Sequence, residues 1–378
     1  MTHEIASALR RENRMQNPSF HNPFGYGQQL YDGRRNQGND HRRLTPHAVL
    51  QQMVNRPMVR STVLGALLLL GGPAVAQEAP ATTPPGAGAV PDRPVRAPST
   101  PTTMPFTLQD NLVRIDARVN GERISAVLDS GAGAIITDQA AIRRLGLKEA
   151  TAAVYAAGAG AAAQSLHPVS LADLRFGPLR FRTVPSYAGD LSHLSQSARF
   201  PVDMLVGAPA FKYGAVTVDY PRRRITFGPS GSAGRCADPI PLEILNDAPV
   251  VMVSFRPTPT APAVRLKMLV DLGTRHKAVM IGGPFLRTET GQALLRSGVA
   301  RQIGHGIGGK VQGSVARVSE MQLGQAAFGA MDVGLSPNVP AFEAGIVDGT
   351  LGVPLWEDGV ITFDYPARQL CIAKSGQG

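Results

Sequence analysis

Two stretches decide the fold when set side by side: RISAVLDSGAGAIIT, residues 123–137, and LKMLVDLGTRHKAVMI, residues 266–281. Each is an apolar run that ends on an aspartate, Asp129 or Asp271, with a glycine two places on, Gly131 or Gly273. Such a run before a glycine-containing turn reads as a buried strand. The carboxylate at its end is half buried and needs partners, because an isolated buried charge is costly. Taken alone, each aspartate would cap its own turn. Taken together, they raise the possibility of one site built from two copies.

The sequence around them matches as well. DMLVGAPAF (203–211) and GAVTVDYPRRRITF (214–227) follow the first stretch, and GTLGVPLW (349–356) and GVITFDYPARQLCI (359–372) follow the second. Asp219 lies 90 residues after Asp129, and Asp364 lies 93 after Asp271. Gly207 and Gly352 follow the same aspartates by 78 and 81 residues. Three landmarks in one order imply an internal repeat. The expected organisation is one lobe at 105–229, an inter-lobe linker at 230–240 and a second lobe at 241–376. Each lobe reads as β. Asn120-Gly121 between apolar runs signals a type I′ hairpin, and each DYP segment reads as strand, turn, strand. Short helices are expected at 138–146, capped by Asp138 and stopped by Gly146, and at 287–298. The fold class is therefore all-β, two similar lobes related by a pseudo-twofold axis, with short helices.

Composition agrees. Of 378 residues, 43% are hydrophobic and only 6% aromatic, with 41 Gly and 31 Pro, which suits strands joined by many turns. The net charge of +10 is not a nucleic-acid footprint. Residues 1–76 hold nine arginines, no lysine and four acids, and the remaining excess is scattered without interleaved aromatics. From Met58, MVRSTVLGALLLLGGPAVAQEAP has the short basic start, apolar stretch and Ala74-Val75-Ala76 cleavage motif of a secretion signal. We assign 58–76 to that signal and 1–57 to a disordered extension or an early start, with Met53 or Met58 as the true one. Residues 77–104 form a Pro/Ala-rich linker. An exported protein, periplasmic or secreted, with no membrane span left after cleavage, is the expectation. Cys236 and Cys371 are then either a disulfide or two partly buried thiols.

Asp129 and Asp271, brought together about a twofold axis, would share one proton, because two adjacent carboxylates cannot both ionise. Such a pair supports general acid–base hydrolysis of a peptide bond through a water, with neither metal nor cofactor. His167, His193, His276 and His305 lack metal-ligand spacing, and no G-x-S-x-G elbow is present. His305 reads as a loop residue with substrate contact as its alternative, and Trp356 as core.

Asp129-Ser130-Gly131-Ala132, Leu205-Val206-Gly207 and the VDYPRRRI strand pair together resemble the retropepsin-like aspartic proteases. The two-lobe arrangement is similar to the pepsin-like enzymes, and the DYP ending to bacterial aspartyl protease family proteins. The resemblance spans about 104–376. It implies Asp129 and Asp271 as the catalytic pair, with Ser130 reaching across to the other lobe's backbone. Gly207 and Gly352 would support the two active-site loops, and Thr274 would hydrogen-bond Asp271. Gly158 and Gly160, with Gly306, Gly308 and Gly309, would belong to flaps. A peptide or protein is the implied substrate and a monomer the implied state, with a homodimer joining Asp129 to Asp129 as the alternative. Leu272 departs from the family, which has Ser or Thr after the aspartate. That departure leaves a second reading open: a pseudoprotease that binds peptides without cutting them.

Overall fold

A computed structural model describes residues 98–156, 164–232, 236–306, 308–339, 342 and 345–374. The expected signal segment, most of the linker, and Gly158 and Gly160 lie outside the described residues. The described chain is almost entirely β, with four short α-helices.

The first half begins with strand Leu112–Val119, which turns back through Asn120 and Gly121 into Glu122–Leu128. Both turn residues have positive φ, 53° and 88°, which Asn and Gly tolerate best. The Glu122–Leu128 strand ends at Asp129. After a short loop the chain returns as Ile135–Asp138. These two strands do not pair with each other. Met204–Val206 is inserted between them, parallel to the first and antiparallel to the second. The second half has the same nesting: Gly349–Leu351 lies parallel to Val264–Val270 and antiparallel to Val279–Ile281. All six inserted residues, Met204, Leu205, Val206, Gly349, Thr350 and Leu351, are buried. Fully buried central strands read as short continuous apolar runs, as these do.

A separate six-stranded sheet joins the halves. At its centre Ala215–Asp219 pairs antiparallel with Gly359–Asp364. Thr217 stands opposite Thr362, their hydroxyls 2.9 Å apart, and both residues occupy the same place relative to their DYP motifs. Aromatic contacts cross the join as well. Tyr365 stacks on Phe211 with ring centroids 5.5 Å apart, and Tyr220 lies against Trp356. Trp356 is a core residue. One continuous hydrophobic cluster includes residues of both halves.

Sequence and structure part in three places. Thr102–Pro105, read as the end of a linker, is an edge strand paired with Arg224–Phe227, so the chain enters the fold earlier than composition implies. Its proline stands at the end of an edge strand, where a missing N–H does no harm. Helix Ser192–Ala198 gave no signal because its N-cap is Leu191, without a side-chain cap. The helix expected at 287–298 is two pieces, Gly283–Arg287 and Glu289–Ser297, the second capped by the Thr288 hydroxyl. Helix Gln139–Arg144 is capped by Asp138, whose carboxylate accepts from Ala140 N at 2.8 Å, and Gly146 follows it with φ +63°.

Of the two readings of the cysteines, the disulfide is the one formed. Cys236 bonds Cys371 across 135 residues, tying the connection between the halves to the strand Gln369–Lys374. Closing a loop of that length constrains the unfolded chain by about 5 kcal/mol. Reduction is expected to lower the unfolding free energy by several kcal/mol in urea equilibrium unfolding, and an unchanged midpoint would show that the bond contributes nothing.

Candidate active site

Asp129 and Asp271 stand at the ends of Glu122–Leu128 and Val264–Val270, and the inserted strands hold each in place. Asp129 N donates to Val206 O at 3.0 Å, and Asp271 N donates to Leu351 O at 2.9 Å. The loops are held from beneath by glycines. A Cβ on Gly207 would lie 2.2 Å from Ala132 O, and one on Gly352 would lie 2.3 Å from Lys277 O. Backbone N–H groups just after these glycines then tie the loops down: Ala208 N to Ala132 O and Val353 N to Thr274 O, each 2.8 Å. Only residues without side chains allow this approach.

Each carboxyl lies against the opposite half's turn, and Asp271 acts on Asp129 through its charge and a hydrogen bond. Gly131 and Gly273 explain why the two can come so close. Neither glycine adopts positive φ, so a strained turn is not their purpose. A Cβ on Gly131 would sit 2.5 Å from Asp271 Oδ1, and one on Gly273 would sit 2.9 Å from both Asp129 oxygens. Each glycine therefore leaves room for the opposite half's carboxyl. Each also donates its N–H to its own aspartate, Gly131 to Asp129 Oδ1 at 2.9 Å and Gly273 to Asp271 Oδ1 at 2.7 Å. Thr274 Oγ1 adds a bond to Asp271 Oδ2 at 2.7 Å, and the matching position beside Asp129 is Ala132, which has no hydroxyl.

These surroundings set the protonation. Burial pushes the Asp129 carboxyl well above the usual carboxylate range, and the Asp271 charge and hydrogen bond push it further. The backbone N–H groups of Gly131 and Ala132 only partly oppose this. Below the pair, burial also raises the Tyr365 hydroxyl, helped by the charges of Asp247 and Asp129.

Ser130 and Leu272 follow the two aspartates. The buried Ser130 hydroxyl donates to Val270 O at 2.7 Å and accepts from Leu272 N at 3.1 Å, a bridge between the halves under the pair. Leu272 makes no such bridge in return and is fully buried in the main core. Apolar packing stands at Leu272 where Ser130 has its hydroxyl.

A cleft opens above the carboxyls. Its lining includes the apolar Leu112, Val127, Leu194, Leu205, Met280 and Phe342. The hairpin Val299–Gly306 with Gly309–Val318 overhangs it, contributing Ile303, Gly304, His305, Gly306 and Val311. Gly306 pairs with Gly309 at the hairpin tip, where Gly309 has φ +93°. Gly308 lies within that tip. The other glycine-rich segment expected to form a flap has its tip outside the described residues.

The sequence reading missed Arg275. Its buried guanidinium ion-pairs with Asp110 and donates to Ser197 Oγ, crossing from the second half to two elements of the first. Burial lowers its pKa and the Asp110 carboxylate opposes that. Asp110 reaches it from a two-residue turn, Asp110-Asn111, in which both residues have positive φ. Asn111 also donates to Arg275 O at 3.0 Å. The Asp-Asn dipeptide, two short polar residues that tolerate positive φ, was the available signal for that turn.

Comparison with known proteins bears on the first half. Residues 115–210 match the family model described as "Aspartyl protease". The chain matches no curated protein. Among solved structures it is similar to the aspartic proteinase from Irpex lacteus, at 12% identity and a TM-score of 0.44, over 73% of this chain and 98% of that one.

Two substitutions test the geometry. Gly131→Ala is expected to force the carboxyls apart and remove Asp129's coupling to Asp271 while the fold persists, read as a fall in the Asp129 pKa with an unaltered circular dichroism spectrum. Ser130→Ala leaves a buried carbonyl and a buried N–H unpaired, and is expected to cost about 2–4 kcal/mol in urea unfolding.

Proposed function

We propose that this chain is an aspartic-type endopeptidase whose two halves act as copies of one lobe about a pseudo-twofold axis, each supplying one aspartate. The observation that carries the reading is the carboxyl contact between Asp129 and Asp271, with each facing glycine cleared to admit it. Carboxylic acids are brought this close, at the floor of an open cleft, where a shared proton is useful.

In this mechanism Asp129 carries the shared proton and Asp271 carries the charge. Asp271 takes a proton from a water lying between the carboxyls as the water oxygen bonds to the scissile carbonyl carbon. Asp129 gives its proton to the carbonyl oxygen. The resulting gem-diol collapses when a proton passes to the amide nitrogen and the C–N bond breaks, releasing an amine and a carboxylic acid. Atoms balance with water as the only co-reactant. A single chain supplies both aspartates, so a monomer suffices. Export fits the signal-like leader and the Cys236–Cys371 bond, since disulfides persist in oxidising compartments.

Hydrolysis of a peptide library should fall by about 10²- to 10⁴-fold in Asp129→Asn and in Asp271→Asn, and a statine-type transition-state mimic should inhibit the parent chain. Full activity in both variants would refute the proposal. Peptide binding with no product at any pH would instead favour the non-cutting binder to which Leu272 points.

The raised Asp129 pKa sets the pH dependence. Activity should persist above the ordinary carboxylate range and decline as the shared proton is lost. The unfolded chain ionises an aspartate near pH 3.9, so between that pH and the raised folded value the native state binds the extra proton. Stability from this group therefore falls as pH rises through that window. Asp129→Asn should raise the melting temperature more at neutral pH than in acid, checked by thermal unfolding across the range.

A further inference from the structure

The cleft has a basic as well as an apolar lining. Beside its apolar lining it carries basic side chains: Arg275, His276 and Lys277 on the loop after Asp271 and His305 on the overhanging hairpin, with Lys310 of that hairpin and His193 of helix Ser192–Ala198 acting electrostatically on His305. That helix packs against the hairpin's first strand. Asp110 is the acid that acts on this group, and it is already ion-paired with the buried Arg275, with His276 Nε2 4.0 Å away. Neither Lys277 nor Lys310 forms an ion pair among the described residues, and Lys277 lines the cleft. Arg275 is thus fixed as a post by Asp110 and Ser197, while Lys277 and Lys310 beyond it are held in no ion pair among the described residues.

Uncompensated like charges held near one another repel, so a site that keeps them is best relieved by an anion from outside. The anion must arrive on a substrate that also reaches the carboxyl pair. Resting on the peptidase reading above, we infer that this basic lining is a subsite for an acidic side chain, Asp or Glu, of the peptide, close to the scissile bond. Lys277 is the principal contact, with Lys310 and His305 closing over it from the hairpin.

The histidines add a pH dependence. Burial lowers the pKa of both His276 and His305, and Arg275 lowers each further. Lys277 and His305 act on His276 in the same direction, as Lys310 and His193 do on His305, while Asp110 opposes for both. They are therefore neutral at neutral pH and gain charge in acid. The preference for an acidic side chain should strengthen as pH falls, until the substrate carboxyl itself protonates near pH 4.

The test uses the full chain and matched peptides carrying Glu, Gln or Lys at each position flanking the scissile bond, each with a free or an amidated C-terminus. At one position Glu should exceed Gln in kcat/KM by about tenfold, the factor of one charge-assisted contact. Lys277→Glu, alone and with Lys310→Glu, should abolish or invert that ratio. Equal ratios at every position, a ratio untouched by both variants, or a preference that follows the free C-terminus alone would overturn the subsite. The same peptides, labelled and measured by fluorescence anisotropy on Asp129→Asn, separate this inference from the peptidase reading. Tighter binding of the Glu peptide without any cleavage by the parent chain would keep the subsite and remove the peptidase. Equal or absent binding, with no Glu preference in cleavage, would remove the subsite.

Discussion

Two carboxyls that touch across the join of the halves set the terms for much of what surrounds them. Like charges held close repel, so the proposed chemistry asks for one shared proton and for backbones that come close enough to permit it. Side chains at residues 131 and 273 would prevent the approach, and both are glycine. The loops carrying the aspartates need support from beneath, which Gly207 and Gly352 give by admitting carbonyls at distances no Cβ would permit. The halves must then be kept in register. The sheet centred on Thr217 and Thr362, the Ser130 bridge and the Cys236–Cys371 bond each do so by a different kind of contact.

The join is unequal in a way that matches its chemistry. Ser130 bonds the opposite backbone and Leu272 does not; Thr274 bonds Asp271 and Ala132 has no hydroxyl to offer Asp129. The hydroxyl support therefore falls on the Asp271 loop, from both sides. Apart from Asp271, Asp129 is held by backbone N–H groups alone, and burial pushes it strongly toward its neutral form. Unequal hydrogen bonding and burial around two near-symmetric carboxyls favour the proton on the more deeply desolvated one. Leu272 packs into the core where a hydroxyl is missing, so the substitution exchanges a bridge for apolar burial.

Much of this could be read from residues in order. The apolar runs ending at Asp129 and Asp271, the Asn120-Gly121 turn and the Asp138 cap are local patterns, and local patterns survive without tertiary information. The purpose of Gly131 and Gly273 could not be read this way. They looked like turn formers, whereas what they accommodate is a carboxyl more than a hundred residues away. Arg275 was invisible for the same reason, since its partners Asp110 and Ser197 lie 165 and 78 residues off. The edge strand at Thr102–Pro105 was hidden by proline-rich composition, because pairing at a sheet edge depends on a neighbour's free backbone more than on the strand's own residues.

The central claim is that Asp129 and Asp271 share a proton across the join. Carbon-13 NMR titration of the aspartate carboxyls, in the parent chain and in Asp271→Asn, addresses it most directly. The account predicts that the Asp129 carboxyl titrates well above the ordinary carboxylate range, and moves down when the Asp271 charge is removed, with the share due to burial remaining. An Asp129 that titrates in the ordinary range, or that does not respond to the loss of Asp271, would contradict it.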